Sequence, residues 1–168
     1  MLQQKGLINQ MLTATKGGRI NISEEKETKF VAEKFSKHIK LGNIILLSGN
    51  LGVGKTTFIK YILNSLQKNS NQPITEVPSP TFNITNEYVI GKILIKHYDL
   101  YRIKNEKELV NLGIDENIEN QITLVEWPEI IKSFSIKNCI KLIFEYNKNY
   151  TERYLSIVSK NKTLLNEF

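Results

Sequence analysis

Apolar positions recur along this chain with two different periods, and their alternation predicts a layered αβ domain. Ser23 precedes an acidic turn with Glu24, Glu25 and Glu27 and then a stripe at Val31, Ala32, Phe35 and Ile39, the pattern of a capped helix with one buried face. Lys40-Leu41-Gly42 closes that helix, and the apolar run over 43–48 predicts a buried strand. Phe58, Ile62 and Leu66, with Ile59 and Leu63, form two i,i+4 rows on one face of a second helix. A polar loop over 68–73 follows. Residues 85–90 and 92–98, joined around Gly91, predict a hairpin, which would set antiparallel strands into an otherwise parallel sheet. A short helix over 105–112, capped by Asn105 and closed near Gly113, leads to strands at 122–127, 138–146 and 153–158, the last two turning at Asn147-Lys148-Asn149.

Between the first strand and the second helix stands Gly49-Asn50-Leu51-Gly52-Val53-Gly54-Lys55-Thr56, which satisfies the phosphate-loop pattern G-x-x-x-x-G-K-[ST] in the strand-turn-helix setting that pattern requires. Glycines at 49, 52 and 54 let the backbone turn tightly and bring its N–H groups up to phosphate oxygens. The start of the following helix adds its positive dipole. Lys55, with its side chain facing a solvated site, supplies a full charge for the β- and γ-phosphates, and the Thr56 hydroxyl is placed to ligate Mg²⁺.

Length and composition narrow the classes. At 168 residues the chain is most simply one domain, long enough to bury about 70% of its unfolded surface. Residues 1–19 read as a flexible N-terminal extension and 20–168 as the single domain. The acid-free segment 1–22, with Lys5, Lys16 and Arg19, also fits an organelle transit sequence; an extension is the simpler reading. The one cysteine, Cys139, lies in an apolar run and reads as a small core residue, and with no second thiol to bridge, a reducing compartment fits best. No stretch has the apolar length of a membrane span, so a cytoplasmic protein is expected. The net charge of +6 raises a nucleic-acid reading, but the cations are nearly all lysines spread along the chain. A solvated lysine-rich surface explains them as well.

Three further polar clusters accompany the phosphate loop: Val77-Pro78-Ser79-Pro80-Thr81-Phe82, His97-Tyr98-Asp99-Leu100-Tyr101-Arg102 and Leu124-Val125-Glu126-Trp127-Pro128-Glu129. In phosphate-loop enzymes a carboxylate ending an apolar strand completes the Mg²⁺ shell, directly or through water, and polarises the attacking water. Glu126 has that position, Asp99 also ends a strand-like run, and Thr81 lies in a proline-stiffened loop within reach of a γ-phosphate. Each has a plainer explanation: a surface carboxylate, or ordinary Ser-Pro-Thr turn chemistry. His97 reads as a packed or hydrogen-bonded structural histidine, and Trp127 as either core or contact surface.

The order of these clusters, with Glu108-Leu109-Val110-Asn111-Leu112-Gly113 between the last two, resembles the TsaE (also called YjeE) family, over about residues 20–160. That resemblance implies a phosphate-loop αβα fold with a mixed sheet, Mg²⁺-dependent ATP hydrolysis in the formation of threonylcarbamoyladenosine in tRNA, and assembly with the TsaB and TsaD proteins that transfer the threonylcarbamoyl group. Contact with tRNA would be indirect, through that complex. It further implies ATP contacts at Glu25, Gly49, Leu51, Gly52, Val53, Gly54, Lys55, Thr56 and Thr57, Mg²⁺ held by Thr56 and Glu126, and hydrolysis served by Asp99, Glu126 and Thr81. The chain departs from the family at Asn50, where an acid is usual. Loop positions hold phosphate through backbone groups, so binding is expected to survive.

The chief rival is a small-molecule or nucleotide kinase. Such enzymes clamp two phosphorylated substrates with several arginines, and the chain offers only Arg19, Arg102 and Arg153. A GTPase switch lacks its Asn-Lys-x-Asp and Asp-x-x-Gly motifs here. A nucleotide-dependent adaptor that uses ATP only to hold a binding shape is the non-enzymatic alternative.

Overall fold

A computed structural model describes residues 15–114, 116–131 and 139–168. Its elements are β1 (Thr15–Asn21), α1 (Glu25–Ser36), β2 (Ile44–Ser48), α2 (Lys55–Asn69), β3 (Thr85–Ile90), β4 (Ile93–Asp99), α3 (Glu106–Asn111), β5 (Gln121–Glu126), β6 (Cys139–Tyr146), β7 (Arg153–Ser159) and α4 (Lys162–Leu165). Single 3₁₀ turns precede and follow β5.

The seven strands form one sheet in the order β1-β7-β6-β2-β5-β4-β3. β2 is parallel to both β5 and β6, and β4 is parallel to β5. The β3–β4 and β6–β7 hairpins and the β1–β7 pair are antiparallel. The sheet is mixed, as the hairpin around Gly91 predicts.

Both faces are covered, which explains why β2 and β5 read as unbroken apolar runs rather than alternating ones. Ile45 and Leu47 of β2 join Leu124, Leu142, Phe144 and Ile157 beneath α1 and α2, whose buried stripes include Phe35 and Phe58. Phe58 packs edge-on against Phe144 with centroids 5.5 Å apart. Ile44 and Val125 face the other way, onto Tyr98, Leu100, Leu109 and Ile114. These two clusters make a three-layer αβα arrangement with the strand ends between them.

Several boundaries differ from expectation for local reasons. Residues 15–19, expected within the N-terminal extension, belong to β1: Arg19, Ile20 and Asn21 register against Ser156, Leu155 and Tyr154. The strand carries the sequence Thr-Lys-Gly-Gly-Arg-Ile-Asn, whose two glycines and charges conceal strand periodicity; pairing with β7 supplies what its own pattern lacks. Residues 1–14 lie outside the described residues. Ser23 does not cap α1. Its hydroxyl bonds Asn21 and accepts the Arg153 N–H, and Glu24 is the N-cap residue, without a side-chain bond. Asn105 does cap α3, accepting from the Glu108 N–H. The last helix, α4, capped by Asn161, is four residues long and carries no apolar stripe that predicts it.

Candidate functional site

The site lies where β2, β4 and β5 end side by side in parallel, beyond their carboxyl ends. Gly49, Gly52 and Gly54 all take left-handed backbone angles, with φ of 142°, 74° and 110°. At Gly49 space is also closed: a Cβ there would lie 2.5 Å from the Phe144 carbonyl oxygen. Gly54 then opens α2 with no side-chain cap, so the N–H groups of the first turn lack side-chain partners, an arrangement suited to an anion.

The loop encloses a cleft of about 210 Å³ lined by residues from all three clusters, Lys55, Thr56, Thr81, Asp99, Glu126 and Trp127 among them. Lys55 does not face solvent as expected. It is 4% exposed, and its Nζ donates to the carbonyl oxygens of Gly49 (2.8 Å) and Asn50 (3.0 Å). Trp127 covers it, with Nζ 3.8 Å from the ring centroid, and Tyr101 packs on Trp127 at 4.9 Å. Burial pulls the Lys55 pKa below its ordinary value, against the opposing charges of Glu126, Glu129 and Asp99. Trp127 is therefore both half-buried and part of the cleft wall.

Asp99 and Glu126 are register partners at the ends of β4 and β5, and both are buried. Glu126 accepts the Thr56 hydroxyl at 2.8 Å through Oε1 and 3.0 Å through Oε2. His97 Nε2 stands 2.9 Å from the same Oε1, consistent with a hydrogen-bonded histidine. Asp99 Oδ2 accepts from Thr81 Oγ1 at 2.6 Å and Ser79 Oγ at 3.1 Å, while Oδ1 accepts the Tyr101 N–H at 3.0 Å. Backbone strain accompanies both carboxylates. Trp127 follows Glu126 at φ 57°, and Ile84, whose carbonyl accepts the Asp99 N–H, sits at φ 66°. Bulky and β-branched residues rarely adopt those angles, and such strain clusters at functional sites.

The other expected contacts divide between the cleft wall and positions behind it. Leu51, Gly52, Gly54 and Thr57 line the cleft. Val53 is wholly buried, and Gly49 is packed under β6, so each meets a ligand only through backbone. Glu25 is not among the lining residues; its carboxylate accepts the Tyr61 hydroxyl, a bond that pushes the Tyr61 pKa up to about 12. Asn50 takes part through its carbonyl, which accepts from Lys55 and from the Val53 N–H. Cys139 begins β6, and burial raises its thiol to about 11, against any role as a nucleophile.

Two residues escaped the sequence reading. Tyr101, within the His97–Arg102 cluster, forms part of the cleft wall. Arg153 is distant in sequence, yet its Nη1 lies 3.3 Å from where a Gly54 Cβ would stand, and its guanidinium donates to the Ser23 carbonyl. No local motif flags it; only the β6–β7 hairpin brings it there. Arg102 instead stacks on the exposed Phe82 ring at 4.8 Å.

Among the described residues no three His, Cys, Asp or Glu side chains gather as a metal site. The oxygen pair of Thr56 and Glu126 fits Mg²⁺ even so, because that ion prefers hard oxygen ligands and takes one or two carboxylates together with water and substrate phosphates.

The model of the family described as threonylcarbamoyl adenosine biosynthesis protein TsaE matches residues 22–155. The chain belongs to the TsaE family. A relative from Rickettsia typhi, named tRNA threonylcarbamoyladenosine biosynthesis protein TsaE, is 38% identical over 141 residues, covering 83% of this chain and 94% of its own. One of the same name from Aquifex aeolicus is 35% identical over 134 residues, 79% of this chain and 92% of its own. The crystal structure of Bacillus subtilus YdiB superposes with a TM-score of 0.70 at 24% identity, over 92% of this chain and 94% of that one, and supports the fold. The family match begins at residue 22, so β1 lies outside it.

Proposed function

We propose that this TsaE-family chain is a Mg²⁺-dependent ATPase acting, with the TsaB and TsaD proteins, in the formation of threonylcarbamoyladenosine in tRNA. The observation that carries the ATPase reading is the convergence of four groups in one cleft: the left-handed glycine loop, Lys55, the Thr56–Glu126 pair and the Thr81–Asp99 pair. The pathway and partners rest on the family. Among the described residues no helix is long and apolar enough to cross a membrane, and the cytoplasm is the compartment this reading expects.

Backbone N–H groups of residues 51–56 and the first turn of α2 hold the phosphates. Lys55 exchanges the Gly49 and Asn50 carbonyls for β- and γ-phosphate oxygens, a trade of neutral acceptors for charged ones. Thr56 and Glu126 would hold Mg²⁺, which would supply positive charge against that of the phosphates. Asp99, already accepting from the Thr81 and Ser79 hydroxyls, orients the attacking water and takes its proton as the bond from the γ-phosphorus to the bridging oxygen of ADP breaks. Arg153, against Gly54, adds positive charge to the loop.

Calorimetric titration with ATP and Mg²⁺ tests the binding half of this account. Lys55→Ala removes a charge-assisted contact of about 1.5 to 3 kcal/mol, so affinity should fall roughly tenfold or more. Affinity equal to the parent's would mean that the loop does not bind phosphate.

A further inference from the structure

His97 is wholly buried, and period-two alternation along β4 sets it on the same face as Asp99. Its Nε2 lies 2.9 Å from Glu126 Oε1, the oxygen that also accepts Thr56. Among the described residues its Nδ1 is buried with no hydrogen-bond partner. An ionised carboxylate only accepts, so the proton between the two side chains belongs to Nε2. A second proton, on Nδ1, would be a buried donor without an acceptor. The geometry fits the Nε2–H tautomer, with the ring's hydrogen bonding among the described residues directed at Glu126. An apolar side chain would fill this site without leaving a ring nitrogen unpaired, so core packing alone does not account for a histidine.

We propose that His97 is a positioning residue for the divalent cation held by Thr56 and Glu126, a proposal that rests on those two residues being the metal holders. The His97 N–H pins Oε1 and prevents the buried carboxylate from rotating. Glu126 in turn engages the Thr56 hydroxyl hydrogen, which turns the lone pairs of Thr56 Oγ1 away from the carboxylate and leaves them available to a cation. Outer partners of this kind typically control metal affinity by 10–100-fold.

The test compares ADP affinity in Mg²⁺ and in EDTA, read from the fluorescence of Trp127, the chain's one tryptophan. In His97→Leu the strengthening by Mg²⁺ should shrink about tenfold or more while affinity in EDTA stays unchanged. His97→Gln, whose amide N–H reaches toward Oε1, should recover most of the effect. Full strengthening by Mg²⁺ in His97→Leu, or an equal loss with and without metal, would overturn the proposal while leaving the metal reading intact. A parent protein indifferent to Mg²⁺ would overturn the metal reading itself, and the proposal with it. Nitrogen-15 NMR of the unmodified protein gives a second readout that needs no variant. Only His38 and His97 contribute imidazole signals, and His97 should show a protonated Nε2 and a bare Nδ1. An Nε2 without a proton would overturn the proposal.

Discussion

Glu126→Gln is expected to lower ATP hydrolysis by about 10²-fold or more while the protein stays folded. The substitution keeps the side chain's volume in a nearly closed site, 2% exposed, and a glutamine oxygen still accepts the Thr56 hydroxyl. What disappears is the negative charge that would face the proposed metal, and losses of preorganised electrostatic groups at reacting centres commonly cost 10²–10³ in rate. ATP binding should then depend less on Mg²⁺, which separates this variant from Asp99→Asn. Asp99 meets Thr81, Ser79 and the Tyr101 backbone rather than Thr56, so its amide should leave metal-dependent binding near normal and depress mainly hydrolysis. Single-turnover hydrolysis alongside Mg²⁺ titrations checks both. Parent rates in both variants would remove these carboxylates from the chemistry.

The second large effect expected is dependence on partners. Lys55 is the one cation among the described residues lining the cleft. Arg102 lies over Phe82, a ring 81% exposed, and is not among the lining residues, while Arg153 sits against Gly54. Phosphoryl transfer needs positive charge on the equatorial oxygens, and an arginine supplied in trans gives about 10³–10⁵ in rate. A partner can also act by ordering the Ser79–Thr81 loop over Asp99. Steady-state hydrolysis should therefore be slow alone and rise sharply with the TsaB–TsaD complex at fixed Mg²⁺. Trp127→Ala, which uncovers Lys55, should blunt that rise. A rate that is high alone and unchanged by partners would favour a stand-alone enzyme.

The parts of this site that were legible in the sequence are those whose chemistry is local. Glycines at fixed spacing before Lys55-Thr56 are legible because the turn itself demands left-handed angles, and Asp99 and Glu126 stand out because each ends an apolar strand. The mixed sheet followed from Gly91 between two strand-like runs. Strand order did not, because placing β6 between β2 and β7 depends on long-range pairing that no local period records. For the same reason β1 was hidden: its Gly17 and Gly18 give it little strand character of its own, and β7 holds it in place. Lys55 reads as solvated in the sequence because its cover comes from Trp127, remote in sequence and turned over it by a left-handed backbone angle. Arg153 stayed invisible because the β6–β7 hairpin, not a motif, delivers it to Gly54.

The most direct test of the account is reconstitution. Purified TsaB and TsaD from the same source, supplied with tRNA and the threonylcarbamoyl donor but no ATPase of this family, are mixed with this protein, ATP and Mg²⁺, and threonylcarbamoyladenosine in the tRNA is measured. The parent protein should restore the modified nucleoside, and Lys55→Ala and Glu126→Gln should not. Absence of the nucleoside with the parent protein, under conditions where another TsaE restores it, would contradict the account, and so would full restoration by Lys55→Ala.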